Sequence, residues 1–474
     1  MADNSKLRVI VFPWLAFGHL LPALHLSKSL ASKGIHVSFI STPKNIQRLP
    51  PLPSSLSPLI TFITFPFPRI ENFPENAESS TDIPPSKASL LMKAFDLLQP
   101  HFAKYLDDQT HPDWIIYDYA SHWLPELAAK YNIPSVYFGT FNAASLSFLG
   151  PPSNLLSKDP SATRFNSIES FTTVPKWIPF SSKLVYRIHE LLPVFERAAA
   201  EAASGAGNND VSEAYRFGIA MRDSKCIALR SCVELEPEWI GLLSQLTGKP
   251  VIPVGSLHPL SQDFKDETTQ DDEEKWGVIS ELLEKFQNGS VIYVSFGTEA
   301  ELSQDQVTQL AIGLENSNLP FFWVLRNSHD SFLPAEFKNR VKDRGAIWTS
   351  WAPQVKILAH RSIGGVLTHC GWSSIIEALG FGRALVLMPI MSDQGLNARL
   401  MEGKKLGVEV TRDLRDGSFT SESVAESVRK VMMEEDGEIF RENAMKMTVL
   451  GEKAQMGRYL DEFVDFLLAH KRSL

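Results

Sequence analysis

The sequence predicts an α/β protein of two βα-alternating halves, each with its own open parallel sheet. Three observations carry this. Short apolar runs bounded by Gly, Pro or polar residues alternate with helix-length amphipathic segments along most of the chain. A polar, acidic stretch within 256–275, containing QDFKDETTQDDEEK, interrupts the alternation and has the composition of a solvated linker. The chain is 474 residues long and 44% apolar, enough for more than one substantial core.

In the first half, Arg8 to Phe12 reads as a buried strand and Gly18 and His19 as the loop after it. Leu20 to Ser32 reads as a helix, with Pro22 tolerated in its first turn. Gly34 ends that helix, and Ile35 to Ile40 is the next strand. This βαβ unit carries no GxGxxG, which weakens a dinucleotide reading. Residues 43–90 are rich in Pro and Ser and read mostly as loops, with a strand near Ile60 to Phe65. Ser86 to Leu98 is helix-like. Trp114 to Tyr117 is a strand with Asp118 at its carboxyl end, followed by a helix to about Tyr131. Ser135 to Phe138 is a strand ending in Gly139, Thr140 and Phe141. Chemistry in open parallel sheets sits at the carboxyl ends of strands, and His19, Asp118 and Thr140 occupy three such ends. Residues 150–220 read as irregular and aromatic, with one or two helices over Leu184 to Ala203. They suit the wall of a small-molecule pocket or an ordinary core under long loops equally. Cys226 to Cys232 is strand-like, CVELEPEWI opens a helix, and Lys249 to Val254 is a strand.

In the second half, Val291 to Ser295 is a strand leading into Phe296-Gly297-Thr298. A helix spans Gln304 to Asn316, and Phe321 to Leu325 is the next strand. Then comes WAPQVKILAHRSIGGVLTHCGWSSIIEALGFGRALVLMPIMSDQ, the 44 residues from Trp351 to Gln394. Gly364 to Thr368 is its apolar run, and His369, Cys370 and Gly371 form a turn. Ser373 and Ser374 read as N-cap residues, with Glu377 at capping-box spacing from Ser374. A helix opening this way offers free N–H groups and the positive end of its dipole to an anion, with His369 as a further donor. Trp351 and Gln354 suit a flat base, and Asp393 and Gln394 suit sugar hydroxyls. Base, diphosphate and sugar together describe a nucleotide sugar. Val408 to Val410, a helix over Ser421 to Met433, and helices from about Glu438 and about Tyr459 complete the alternation.

The stretch Trp351 to Gln394 resembles the signature box of the plant family 1 glycosyltransferases, which use UDP-sugars to glycosylate secondary metabolites. The two alternating halves resemble the GT-B architecture, twin Rossmann-like domains facing across a cleft. The resemblance implies an acceptor-binding domain over 1–255, a linker over 256–275, a UDP-sugar-binding domain over 276–455, and a helix over 456–474 that crosses back. It places the catalytic base, in FPWLAFGH, on His19 and its carboxylate partner, in YDYA, on Asp118. A neutral imidazole can take a hydroxyl proton, and a buried carboxylate fixes its tautomer. Trp351 would stack on uracil, with Ala352 and Gln354 reading its edge and Glu377 holding ribose hydroxyls. Thr298, His369 and Ser374 would contact phosphates. Trp372, Asp393, Gln394 and Thr140 would surround the sugar, and Gly18, Gly371 and Ser373 complete the donor-binding set. Apart from the resemblance, Asp118 and Glu377 read also as caps, and Trp351 and Trp372 as core aromatics.

Two departures leave the donor sugar open. Ser373 stands where the family usually has Asn, and Gly382-Arg383-Ala384 replaces the usual GVP. A Ser reaches less far than Asn and offers one donor rather than two. UDP-glucose is favoured for the Asp393-Gln394 pair, with UDP-rhamnose as the alternative. FPWLAFGHLLP, STPKNIQRLP and GWSS together resemble the branch that extends sugars on flavonoids or terpenoids.

The net charge of −9 comes without a long basic run, which argues against nucleic acid and anionic membranes as partners. Cys226, Cys232 and Cys370 show neither metal spacing nor a disulfide framework. No Asp-x-Asp triplet occurs, so a metal-free reaction without a cofactor is expected. The apolar run in MADNSKLRVIVFPW is too short for a signal peptide, and none reaches membrane-spanning length. The expectation is a soluble, cytoplasmic, monomeric, inverting UDP-glycosyltransferase acting on a small hydroxylated acceptor. A nucleotide-sugar epimerase would not need the aromatic segment 150–220. A non-catalytic UDP-sugar-binding protein would not need both His19 and Asp118.

Overall fold

Strands that read as unbroken apolar runs are those covered by helices on both faces, and this is how they are placed. In a computed structural model, residues 7–108, 112–159, 164–165, 167–203, 211–257, 270–325 and 331–472 are described. Among them, β1 (Arg8–Phe12), β2 (His36–Ser41), β3 (Ile60–Thr64), β4 (Trp114–Tyr117), β5 (Ser135–Gly139), β6 (Cys226–Leu229) and β7 (Val251–Pro253) form one parallel sheet, ordered β3-β2-β1-β4-β5-β6-β7. β8 (Val291–Ser295), β9 (Phe321–Val324), β10 (Gly345–Trp348), β11 (Ile363–Thr368), β12 (Ala384–Leu387) and β13 (Gly407–Glu409) form a second, ordered β10-β9-β8-β11-β12-β13.

Each order reverses once. The first sheet grows outward from β1 and then from β4, the second from β8 and then from β11. Such switch points open a crevice at the strands' carboxyl ends. Register sets the floor of each crevice. Phe12 lies level with Tyr117 across β1 and β4, and Thr368 lies level with Ser295 across β11 and β8.

The helix Lys453–Ala469 packs against β7 and the helix Phe17–Ser32 of the first half. Its Leu460, Phe463, Val464 and Leu467 join Val9, Val11 and Trp114 in one buried cluster. Trp114 Nε1 donates to the Leu467 carbonyl at 3.0 Å.

Several expectations need correction. The helix after β1 begins at Phe17, so His19 stands in its first turn rather than in a loop, and Pro22 falls in the second turn. The helix starting Trp372–Gly380 has Gly371 as N-cap and no side-chain cap. Ser373 and Ser374 are its second and third residues, and the capping box with Glu377 does not form. The expected linker gives way to helix at Gln270–Glu284. Its buried Ile279 and Leu283, with Trp276 packed beside them, make an apolar stripe at helical spacing; residues 258–269 lie outside the described residues. Helices Gln99–Asp108 and Glu213–Asp223, and β10 with its preceding helix Phe337–Val341, were not predicted. The helix expected from about Tyr459 starts at Lys453.

Candidate active site

The first crevice brings together Asp118 and Thr140, which follow β4 and β5, and His19, from the first turn of the helix after β1. His19 Nδ1 is 2.7 Å from Asp118 Oδ2 and 3.0 Å from Thr140 Oγ1. Asp118 Oδ1 accepts the Tyr119 N–H at 2.7 Å, and Oδ2 also takes the Trp14 N–H at 3.4 Å. An ionised carboxylate can only accept, so this partner puts the proton on Nδ1 and leaves Nε2 with its lone pair. Burial by itself lowers the imidazole's affinity for protons. The charge and hydrogen bond of Asp118, with the charges of Glu299 and Asp393, outweigh it and raise His19 above the ordinary 6.5. Aromatic rings wall this crevice. Tyr119 and Phe141 lie 5.9 and 5.5 Å from the imidazole, and Phe217 stacks on Tyr119 at 4.2 Å.

The second crevice is made of backbone and rings. The His369 ring lies between two glycines: a Cβ on Gly297 would fall 2.8 Å from its Cε1, and one on Gly371 2.5 Å from its Nε2. Between His369 and Gly371, Cys370 sits at φ 67°, left-handed backbone that a residue with a Cβ adopts at a cost of about 1–2 kcal/mol. That turn aims the helix Trp372–Gly380 at the crevice, where its first N–H groups have no partner within the helix. Trp351 is 57% exposed, and Trp348 Nε1 donates to its carbonyl at 3.1 Å. Ala352 is partly buried beside it. Gln354 Nε2 donates to Glu377 Oε2 at 2.9 Å. Burial raises the Glu377 carboxyl, against the charge of Arg230 and that hydrogen bond.

At the start of the helix Gln394–Gly403, the Gln394 Oε1 accepts the N–H groups of Ile390 and Met391, both at 2.9 Å. Its amide is thereby fixed with Nε2 as the presented end. Asp393 Oδ2 accepts from Asn397 Nδ2 at 2.9 Å. Burial raises the Asp393 carboxyl, while that bond and the charge of His19 oppose the rise.

Residues 272–472 match the family model described as UDP-glucoronosyl and UDP-glucosyl transferase. The chain is 50% identical over 470 residues to UDP-glycosyltransferase 91C1 of Arabidopsis thaliana, with 98% of each chain covered. It belongs to the UDP-glycosyltransferase family. It is also 39% identical over 475 residues to soyasaponin III rhamnosyltransferase of Glycine max, covering 99% of this chain and 97% of the relative. Among solved structures, Medicago truncatula UGT71G1 complexed with UDP-glucose aligns over 98% of this chain and 100% of its own, with TM-score 0.76 and 22% identity. At that identity the likeness speaks for the fold, and the fold is GT-B. Family membership makes this an enzyme that transfers a sugar from a UDP-sugar to a small metabolite with inversion.

The glycosyltransferase joins its two crevices through residues that sequence reasoning missed. Asn142 Nδ2 donates to Asn397 Oδ1 at 2.6 Å, and Asn397 Nδ2 reaches the Cys370 carbonyl at 3.0 Å. Both asparagines are fully buried. Trp372 donates its indole N–H to the Arg230 carbonyl at 2.7 Å and is 4% exposed, packed between the halves. Ser373 Oγ accepts from Arg230 Nη1. Arg230 was readable as a charged residue interrupting an apolar strand. β6 ends at Leu229, so Arg230 holds the same strand-end position as Asp118 and Thr140. Gly18 is exposed at the second position of its helix, and Thr298 is exposed in the loop after β8; neither is drawn into these contacts. Among the described residues no helix is long and apolar enough to cross a membrane, and no group of three His, Cys, Asp or Glu stands ready to hold a metal ion.

Proposed function

We propose that the enzyme transfers glucose from UDP-glucose to a hydroxyl of a flavonoid or terpenoid, or of its glycoside, with His19 as general base. The observation that carries this is the 2.7 Å pairing of His19 Nδ1 with Asp118, which leaves Nε2 to take the acceptor proton. The acceptor oxygen then attacks the anomeric carbon, and Asp118 stabilises the imidazolium. UDP leaves with its growing charge toward the N-terminus of the helix Trp372–Gly380 and His369. Thr140, at 3.0 Å from Nδ1, supports the base as well as the sugar. The rings of Tyr119, Phe141 and Phe217 suit an aromatic or polycyclic acceptor.

On the donor side, Trp351, Ala352 and Gln354 take uracil, Glu377 the ribose, Thr298, His369 and Ser374 the phosphates, and Asp393 and Gln394 the hexose. Gly18, Gly371 and Ser373 shape the donor's surroundings. Residues 1–255 serve as the acceptor-binding domain, 276–455 as the donor-binding domain, and the helix Lys453–Ala469 as the returning helix. The reading includes a metal-free reaction by a cytoplasmic monomer. UDP-rhamnose is the second reading, favoured by Ser373 and by the named activity of the soybean relative.

Incubation with UDP-glucose and UDP-rhamnose separately, against a panel of aglycones and their glycosides, tests the choice by product mass. The expected result is hexose addition that persists in excess EDTA. Deoxyhexose addition alone would move the assignment to rhamnose, and loss of activity restored by magnesium or manganese would overturn the metal-free route.

A further inference from the structure

Arg230 comes from the first sheet yet lies in the site of the second. Its side chain is 1% exposed. Nε donates to the Ser256 carbonyl at 2.9 Å, Nη1 to Ser373 Oγ, and Nη2 stands 4.0 Å from Glu377 Oε1. A guanidinium has five N–H donors. Among the described residues only Nε and Nη1 have an acceptor at hydrogen-bonding distance, since 4.0 Å is an ion pair without a hydrogen bond. The cation faces the second residue of the helix Trp372–Gly380, whose N-terminus is itself positive. Its one neighbouring carboxylate among the described residues, Glu377, is also held by Gln354 at 2.9 Å. Burial pulls the guanidinium down to about 10. A buried cation, a positive helix end and a single shared carboxylate leave an excess of positive charge at one spot. Burying charge in this way is costly unless an anion completes it.

We propose that Arg230 is a donor-binding residue whose guanidinium pairs with the diphosphate of the UDP-sugar, facing the helix N-terminus from the opposite sheet. The proposal rests on the donor site described under the proposed function and adds a residue to it. Serine at 373 is short enough for the guanidinium to come within reach of the helix. When the donor binds, the Nη groups exchange Ser373 Oγ for phosphate oxygens, which accept stronger, charge-assisted bonds. The first half of the protein thereby takes part in holding the donor, though uracil and ribose lie on the second.

Calorimetry with UDP and with uridine, which lacks the phosphates, separates this role from a structural one. Arg230→Met should weaken UDP by about 10- to 100-fold, the range for a charged hydrogen bond, and leave uridine unchanged. Arg230→Lys keeps the charge but loses the planar fork, so it should weaken UDP by about 2- to 10-fold. An unchanged ratio of UDP to uridine affinity in both variants, or a parallel loss of both ligands, would overturn the proposal. If Arg230→Met fails to fold, Arg230→Lys decides alone by the same ratio. Failure of the parent protein to bind UDP would instead overturn the donor-site reading, and this proposal with it.

Discussion

The two sheets open the same kind of crevice at the same kind of place, and they fill it with opposite materials. At the β1–β4 switch point the contents are side chains already paired with each other: His19 on Asp118, Asp118 on the Tyr119 N–H, and Thr140 on His19. At the β8–β11 switch point the contents are a glycine-flanked imidazole, a helix end and an exposed Trp351. A pre-paired acid–base set suits the movement of a proton, because its charge is compensated before any ligand arrives. A helix N-terminus and an exposed ring suit the holding of a ligand, because the first N–H groups of the helix have no partner within it and the ring face is open to a flat base. The architecture supplies the place twice, and the side chains decide its use.

This contrast can be broken in three ways. The largest effect is expected for His19→Ala, which should lower turnover by about 10²- to 10⁴-fold with UDP affinity as in the parent. Turnover assays beside UDP calorimetry measure both; a variant that lost UDP affinity and kept its turnover would make the first crevice a donor site. Next comes Trp351→Ala, which should weaken UDP by about 1–3 kcal/mol, the range for a stacked base. Its turnover at saturating donor should remain near parental, and an equal loss of turnover with unchanged UDP binding would reverse the assignment. The smallest effect sharpens the first crevice. His19 must be unprotonated to act, so kcat/KM in the parent should rise with pH through a midpoint above the ordinary 6.5. Asp118→Asn removes the carboxylate that favours the protonated ring, so the midpoint should fall. A pH profile with its midpoint unmoved would show that Asp118 does not set the basicity of His19.

Much of this was legible in residue order. Trp114–Tyr117 and Val291–Ser295 are apolar runs cut off by polar or glycine residues, and they become strands with those same bounds. Trp351 to Gln394 lies in one continuous stretch, so its pattern could be read without knowing the fold. What escaped depends on partners distant in sequence. Arg230 meets Ser373 across 143 positions and Asn142 meets Asn397 across 255, and nothing local marks either pair. The capping box at Ser374 was misread for a related reason. The tight turn through Cys370 and Gly371 sets the helix start by backbone, and it starts at Trp372. The aromatic wall beside His19 depends on Phe217, on a helix whose Pro- and Phe-rich surroundings read as irregular.

The hydrogen bond from Trp114 to the Leu467 carbonyl spans 353 positions, and this separation has a consequence for synthesis on the ribosome. The β1 and β4 residues covered by the helix Lys453–Ala469 emerge long before that helix does. At about 5–20 residues per second the interval is on the order of 20 to 70 s. Throughout it, Val9, Val11 and Trp114 lack part of their eventual covering, and an apolar surface left open in a nascent chain is where chaperones bind and aggregation begins.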